Sequence, residues 1–255
     1  MLKSLISALQ MYSRIPMPKI EWNEQNKRYS LCFFPLVGAV IGLLVMLWQS
    51  ICEQIGFGGF AYAAITVLIN IIITGGIHLD GFCDTNDARA SWGDAEKKLS
   101  ILKDSHIGAF AAIKLAVYLI VYTAMLSELY TSRGAEIIAC GYVLSRSLSG
   151  LAAVTFKAAK KDGTLQSFAQ PADKHTTLFV LSVCAAASCA VMISVSTMTG
   201  LAAAASALVA FAYYHYVAYK EFGGVTGDLA GWFLQICELF TAIASAVVYK
   251  LTEVL

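Results

Sequence analysis

Long apolar runs separated by polar connections restrict the fold of this chain more than any other feature. A helix needs about 20 apolar residues to cross the hydrocarbon core of a bilayer. Seven stretches reach or approach that length, at 31–52, 57–77, 109–130, 135–156, 177–197, 200–219 and 232–251. Only 14% of the residues are charged, against about 25% in soluble domains. We therefore expect a single membrane domain over residues 1–255, an all-α polytopic transmembrane helix bundle of about seven spans.

The lysines and arginines fall mainly on one of the two sides that these spans define. Fourteen of the 18 lie in the long polar segments 1–30, 78–108, 157–176 and 220–231. The opposite side carries only Arg133 and Lys250. The positive-inside rule then predicts a cytoplasmic N-terminus and cytoplasmic polar segments. The expected location is a prokaryotic cell (inner) membrane, with a catalytic loop at 78–108 on the cytoplasmic side of the lipid bilayer.

The net charge argues against one class of partner, and the cysteine pattern argues against one class of metal site. The net charge of +1 offers no basic excess to neutralise phosphates, which argues against nucleic acid as a partner. The seven cysteines are scattered and contain no CxxC pair, so we interpret them as reduced apolar side chains and not as a zinc site. The sequence leaves open whether copies of the chain associate into a homo-oligomer.

The first residues, 1–18, fit two descriptions. Leu2, Leu5, Ile6 and Leu9 share one helical face, which favours a short interfacial helix. A disordered lead-in to the first span fits the same residues.

Three aspartates directly after the second apolar run carry the main chemical signal. Asp80, Asp84 and Asp87 are four and three residues apart, so on a helix they stack along one face. Carboxylates so placed repel one another unless a cation lies among them, and carboxylate oxygens are the ligands that Mg²⁺ and Mn²⁺ prefer. The spacing predicts a Mg²⁺ site at the membrane surface, with Mn²⁺ as a substitute. The alternative is a solvated acidic helix start, since aspartate is favourable near a helix N-terminus.

A second polar element precedes the third run. In KDSHIGAF (103–110), Asp104 could add a ligand, whereas Lys103 and His106 could contact phosphate. Alternatively, Asp104 or Ser105 simply caps the third span.

A glycine-rich turn opens the last run. Gly223 and Gly224, followed by Thr226 and Asp228, form a turn whose backbone N–H groups can approach an anion at a helix N-terminus. Such a turn can hold a phosphate. Asp228 would then either cap the helix or bind the same metal ion as the three aspartates.

Two opposite charges lie within apolar runs. Glu238 is a carboxylate deep in the last run and Arg146 interrupts the fourth. An ionised, unpaired carboxylate at this depth would cost several kcal/mol, which makes Arg146 the evident partner. Either the two form a structural pair, or both face the site.

The polar motifs together resemble cobalamin synthase, the adenosylcobinamide-GDP ribazoletransferase family. The matching strings are GGIHLDGFCDTNDA (75–88), KDSHIGAF (103–110), Ser145-Arg146 and GGVTGDLAG (223–231), with support from YSRIPMP (12–18) and FPLVG (34–38). The resemblance runs over most of the chain. Ala88 and Ala111 stand where family members often have glycine, and Gln235 stands where they often have glutamate, which weakens any metal-binding role at position 235.

The resemblance implies a reaction. The alcohol of α-ribazole, or of its 5′-phosphate, attacks the cobinamide-proximal phosphorus of adenosylcobinamide-GDP. GMP leaves, and adenosylcobalamin or its 5′-phosphate is formed. Mg²⁺ would neutralise charge on the transferring and leaving groups.

The resemblance also implies roles for individual residues. Asp80, Asp84 and Asp87 would hold Mg²⁺, one of them doubling as the base, and Asp104 and Asp228 would support the metal or the acceptor. The implied substrate-binding residues are His78, Lys103, His106, Arg146, Gly223, Gly224 and Thr226.

Other classes of membrane protein share parts of this pattern. A CDP-alcohol phosphotransferase also carries aspartates at a membrane surface, but it has Ala-Arg directly after its DGxx and a later DxxxD, and Asp84 occupies that alanine position here. A prenyltransferase would need two comparable aspartate motifs on different helices. A transporter would place its acidic residues in mid-span, whereas most of those here lie at one membrane face.

Overall fold

The computed structural model describes residues 1–104, 106–160 and 163–254. For residues 253 and 254 it describes the backbone but not the side chains. Ser105, which the sequence offered as a helix cap, and Lys161, one of the basic residues counted above, lie outside the described residues. Almost all of the described chain is helical, and its only β-type pairing is a single bridge between Ala158 and Val225.

Each predicted apolar run forms a helix. The α-helices of the part of the chain that the structure describes are α1 Leu2–Tyr12, α2 Glu24–Lys27, α3 Phe34–Ile55, α4 Gly59–Thr74, α5 Ile77–Ala90, α6 Ala95–Ile101, α7 Ala109–Glu128, α8 Ser132–Thr155, α9 Thr164–Ala169, α10 Lys174–Val195, α11 Thr197–Phe222 and α12 Gly227–Val254. A short 3₁₀ helix, Ser30–Phe33, precedes α3. Among the described residues, six helices are long and apolar enough to cross a membrane, and α4 with α5 makes a seventh, bent candidate. The prediction of an all-α polytopic bundle is confirmed.

The connections differ in length at the two ends of the bundle. At one end, α3 meets α4 through 56–58, α7 meets α8 through 129–131, and α10 meets α11 through Ser196 alone. Short links of this kind join antiparallel neighbours. The long polar segments therefore all lie at the opposite end, which we call the polar end.

The second apolar run ends in a sharp bend that the sequence pattern did not predict. The run was expected to continue to 77, but α4 ends at Thr74 and α5 leaves it at 95°. Gly75 and Gly76 make the bend with φ angles of 65° and 77°, which only glycine adopts without strain. The polar α5 therefore leaves the direction of α4 and turns across the polar end of the bundle. Segment 78–108, expected as a loop, is largely helical.

The N-terminal segment adopts the helical alternative. Helix α1 buries Ser4, Ser7, Ala8 and Leu9 against the bundle, whereas Leu2 is 71% exposed. Its packed side therefore combines small residues with Leu9 and Tyr12, so only part of the apolar face that the sequence suggested is buried.

Candidate active site

A cavity of about 410 Å³ opens at the polar end. It lies between α5, the first turns of α12, the end of α8 and the segment that leads into α9. Its polar lining includes His78, Asp80, Lys103, Lys160, Thr226 and Asp228. Three of the predicted polar motifs thus contribute to one cavity, although they are up to about 150 residues apart in sequence.

Close packing of α5 on α12 brings two of the aspartates together. A Cβ atom added to Gly81 would lie 2.7 Å from the carbonyl oxygen of Asp228, and one added to Gly231 would lie 3.1 Å from the Cα atom of His78. The absence of side chains at these two glycines lets the helix backbones approach as they do in small-residue crossings. As a result, Asp80 and Asp228 line the same cavity.

The carboxylates of this region are crowded. Burial, then the charges of Asp80, Asp228 and Asp87, raise the pKa of Asp84 to about 6. Nevertheless, no three His, Cys, Asp or Glu side chains of the described residues lie close enough together to form a complete metal cage. Mg²⁺ commonly binds through one or two carboxylates and substrate phosphates without such a cage. The donor set therefore fits a Mg²⁺ ion that is completed by a phosphorylated substrate.

Asp87 differs from the other two aspartates of the stripe. Its carboxylate accepts hydrogen bonds from the backbone N–H groups of Gly108 and, at 2.9 Å, of Ala111. Asp87 thus caps the N-terminus of α7 from a neighbouring helix, where a negative charge is favourable. The stripe is helical as predicted, but of its three aspartates only Asp80 lines the cavity, whereas Asp84 and Asp87 do not.

Two lysines bring positive charge to the cavity. Lys103 was predicted, whereas Lys160 was not. Burial, then the neighbouring charge of Lys103, lower the pKa of Lys160, and its Nζ donates to the carbonyl oxygen of Leu99 at 3.0 Å. The pair faces the same cavity as Asp80 and Asp228, so cationic and anionic groups are both available to a phosphorylated ligand.

A cluster of ion pairs among three helices fixes the position of α6, and Lys103 follows the end of α6 in the chain. Glu221 at the end of α11 binds Arg89 of α5 at 2.9 Å and Lys98 of α6 at 2.8 Å. Sequence reasoning missed this cluster because Glu221 belongs to a different polar segment from Arg89 and Lys98.

His78 lies in the cavity wall, as expected of a substrate-binding residue. It is 6% exposed, and its Nε2 atom has no hydrogen-bond partner. Burial, then the charge of Arg146, lower its pKa to about 3. The imidazole is therefore neutral near pH 7, and its Nε2 atom is enclosed by the protein.

Asp104 and His106 lie outside the cavity. The Asp104 carboxylate is paired with the His106 ring at 2.8 Å, with both side chains exposed, and this hydrogen bond, followed by the His106 backbone N–H, lowers the pKa of Asp104. The structure therefore does not join these two residues to Asp80 and Asp228.

The glycine-rich turn is placed beside the cavity. Gly223 ends α11, and Gly224 packs closely against the backbone of residues 157–159. The Val225 N–H donates to the Lys157 carbonyl at 2.8 Å. Of this turn, Val225 and Thr226 line the cavity, whereas the two glycines do not. The contact with 157–159 also places the segment that carries Lys160.

Arg146 occupies the bundle interior, away from the cavity lining. Its guanidinium is 0% exposed and lies 2.6 Å from the Glu238 carboxylate. Asn70 joins both partners, accepting from Arg146 at 3.1 Å and donating to Glu238 at 2.7 Å. Of the two alternatives, the geometry favours the structural pair, because the enclosed guanidinium has no path to a phosphate in this conformation.

The chain is similar to known proteins over nearly its whole length. The model of the cobalamin-5-phosphate synthase family matches residues 4–246. An adenosylcobinamide-GDP ribazoletransferase of Lachnoclostridium phytofermentans is 44% identical over 95% of this chain and 93% of its own length. Proteins of the same name from Clostridium botulinum and Treponema denticola are 31% and 33% identical, each over 93% of this chain and 94% and 95% of their own lengths. No solved structure matches the chain.

Proposed function

The chain belongs to the cobalamin-5-phosphate synthase family, and from that premise we propose that it joins α-ribazole, or its 5′-phosphate, to adenosylcobinamide-GDP. The products are GMP and adenosylcobalamin, or its 5′-phosphate. This is the nucleotide-loop assembly step of cobalamin synthesis. Membership of this family sets aside the alternative of a CDP-alcohol phosphotransferase.

The observation that carries the proposal is the pairing of charges in one cavity. Asp80 and Asp228 lie in the same lining as Lys103 and Lys160. Phosphoryl transfer depends mainly on positioning and on electrostatic stabilisation of the phosphates. A diphosphate substrate needs cationic partners for its oxygens and a carboxylate near the attacking hydroxyl, and this lining offers both.

The roles of the residues follow from the reaction. The acceptor hydroxyl oxygen bonds to the cobinamide-proximal phosphorus, and the bond from that phosphorus to the bridging oxygen breaks. Asp80, the more exposed carboxylate of the lining, takes the hydroxyl proton. Lys103, Lys160 and Thr226 bind phosphate oxygens, so that the charge that collects on the departing GMP is offset by the two ammonium groups.

We propose Mg²⁺ as the metal ion of this site, with Mn²⁺ as a substitute. Asp80 and Asp228 would hold it, with Asp84 beside them. A bound Mg²⁺ neutralises charge on the transferring and leaving phosphates. The crowding of carboxylates around Asp84 supports a cation here, because like charges at close range are unfavourable when nothing neutralises them.

The activity itself is tested with the purified protein. Adenosylcobinamide-GDP and α-ribazole should together yield GMP and adenosylcobalamin in the presence of Mg²⁺, measured by liquid chromatography. Omitting α-ribazole is the control for simple hydrolysis, and a chelator should abolish product formation. GMP that appears equally without α-ribazole would contradict the transfer reaction, and undiminished turnover after thorough chelation would contradict the role of the metal.

We further propose that the polar end faces the cytoplasm of a prokaryotic cell. The excess of lysine and arginine at that end supports this orientation. None of the seven cysteines is exposed, so a thiol reagent that cannot cross the membrane gives a low background on the native chain. Arg133→Cys, at the opposite end, should be labelled in intact cells, whereas Lys97→Cys should be labelled only after the cells are permeabilised. The reverse pattern would overturn the orientation and the cytoplasmic active site.

A further inference from the structure

The cavity has two chemically different parts. The charged side chains lie on α5, α12 and the adjoining segments. The other wall is apolar and is formed by Tyr12, Leu31, Phe34, Ala153, Leu165 and Leu234, among others. The proposed transfer of a phosphoryl group uses only the charged part, so the apolar wall needs a separate explanation.

The apolar wall is partly aromatic. The rings of Tyr12 and Phe34 are 4.2 Å apart at an angle of 31°, and the Phe34 ring lies 5.9 Å from the ring of His78. Tyr12, from α1, and Phe34, from the start of α3, are both buried. Aromatic walls of this kind suit flat ring systems, which gain from stacked and edge contacts with them.

The imidazole ring of His78 borders this wall beside Phe34. Among the cavity-lining residues that the structure describes, His78 is the only one with a buried side-chain nitrogen or oxygen, its Nε2, that lacks a hydrogen-bond partner. A buried polar atom without a partner costs about 1–3 kcal/mol. This atom has less than 1 Å² of accessible surface, so a ligand in the cavity removes that cost only when the imidazole ring turns its Nε2 toward the ligand.

We propose that the apolar wall and His78 form the subsite for the dimethylbenzimidazole base of the acceptor nucleoside, an inference that rests on the proposed function. This base is flat, carries two methyl groups on its benzene edge and has a single free ring nitrogen. The methyl groups pack against the apolar wall, and the His78 imidazole, turned toward the cavity when the nucleoside binds, donates its Nε2–H to the ring nitrogen. The ribose hydroxyl then points toward Asp80 and the lysines.

The other ring systems of the reaction fit this wall less well. Guanine carries several donors and acceptors along its edge, and these would be buried without partners in an apolar wall. The corrinoid is several times larger than a nucleoside, whereas the cavity measures about 410 Å³, near the lower end of the roughly 300–1,000 Å³ of small-ligand pockets. The corrinoid must therefore lie largely outside this cavity.

Ala153→Leu tests the subsite because it fills space in the apolar wall. Ala153 lines the cavity and is 5% exposed. A mismatch of one methyl-sized group in a hydrophobic pocket changes specificity by about tenfold or more. We expect the KM for α-ribazole to rise at least about tenfold, the KM for the unsubstituted imidazole riboside to change less than about threefold, and the KM for adenosylcobinamide-GDP to stay unchanged.

Ala116→Leu is the matched control, since Ala116 lies on the exposed side of α7 and its enlargement should change none of the three constants. A rise in the KM for adenosylcobinamide-GDP with no change for α-ribazole would assign the wall to guanosine or the corrinoid and overturn the inference. An equal rise for both acceptors would also overturn it. Because wild-type turnover is measured in parallel, failure of the proposed function would appear as no GMP release at all.

His78→Phe provides a second test that does not depend on how Ala153→Leu folds. It keeps a flat ring in the wall and removes the polar atom. We expect the variant to bind α-ribazole more weakly than wild type does. The dimethylindole riboside lacks the ring nitrogen, so wild type and variant should bind it equally well. Equal losses for both nucleosides would show that His78 does not donate to the ring nitrogen and would overturn its role in the subsite.

Discussion

Asp80→Asn is expected to lower the rate of GMP release by about a hundredfold or more while the protein inserts and folds normally. Asparagine keeps the size and most of the hydrogen-bonding shape of the side chain but removes the charge. Electrostatic stabilisation of a transferring phosphoryl group is worth several kcal/mol, and each ~1.4 kcal/mol corresponds to a factor of ten in rate. The measurement is turnover of adenosylcobinamide-GDP with α-ribazole, alongside thermal melting in detergent.

The matched control is Asp94→Asn. Asp94 is exposed and caps α6 by accepting from the Lys97 backbone N–H at 2.9 Å, and asparagine is an equally good N-cap. This variant loses the same charge at the same end of the bundle, and its turnover should be unchanged. If Asp80→Asn turned over at nearly the wild-type rate, Asp80 would be only a solvated surface residue and the proposed mechanism would be wrong.

Asp87→Asn should behave differently from Asp80→Asn. Because the Asp87 carboxylate caps α7, its neutralisation should lower the melting temperature, with any loss of turnover following from that. In contrast, relief of repulsion among the cavity carboxylates should leave Asp80→Asn as stable as wild type. The two variants thus separate a residue that acts on substrate from one that positions a neighbouring helix.

The sequence predicted most of the fold because lipid imposes a simple constraint. A spanning segment must be long, apolar and helical, so the runs and their approximate limits could be read directly. The bend between α4 and α5 could not be predicted in this way, since the pair Gly75-Gly76 is compatible with a loop as well as with a turn between helices. The direction of α5 depends on how Gly81 and Gly231 pack, which is a contact between distant residues.

The site was predictable only where its residues cluster in sequence. The stripe that contains Asp80 has a helical spacing, and Asp228 follows a glycine-rich turn, so both were found. Lys160 was missed because it lies alone in a polar segment, and only the pairing of Val225 with residues 157–159 carries it to the cavity. The same segment in another fold would be an ordinary solvated connection. Asp104 and His106, chosen for their motif, lie outside the cavity.

Arg146→Met is expected to destabilise the protein strongly, and Glu238→Gln is expected to rescue much of that loss. Methionine keeps most of the arginine volume, so the change leaves the Glu238 carboxylate buried without its cation while creating little empty space. Removing one partner of a buried ion pair costs about 3–5 kcal/mol, and the interior of a membrane bundle makes an unpaired charge still less favourable. Glutamine removes the stranded charge and can still accept from Asn70. The measurements are the yield of folded protein and the melting temperature of wild type, both single variants and the double variant.

Activity of the double variant separates the structural pair from the other alternative. If Arg146 serves the fold alone, the rescued protein should release GMP at close to the wild-type rate per folded molecule. Lys114→Met is the control for loss of a cation from a spanning helix. Lys114 lies on α7, is half-buried and has no ion pair among the described residues. The Lys114→Met variant should therefore melt near the wild-type temperature. A double variant that folds well but has lost turnover would instead show that Arg146 acts on the substrate. Such an outcome would require the guanidinium to leave Glu238 and Asn70 during the reaction, which the enclosed geometry of the pair argues against.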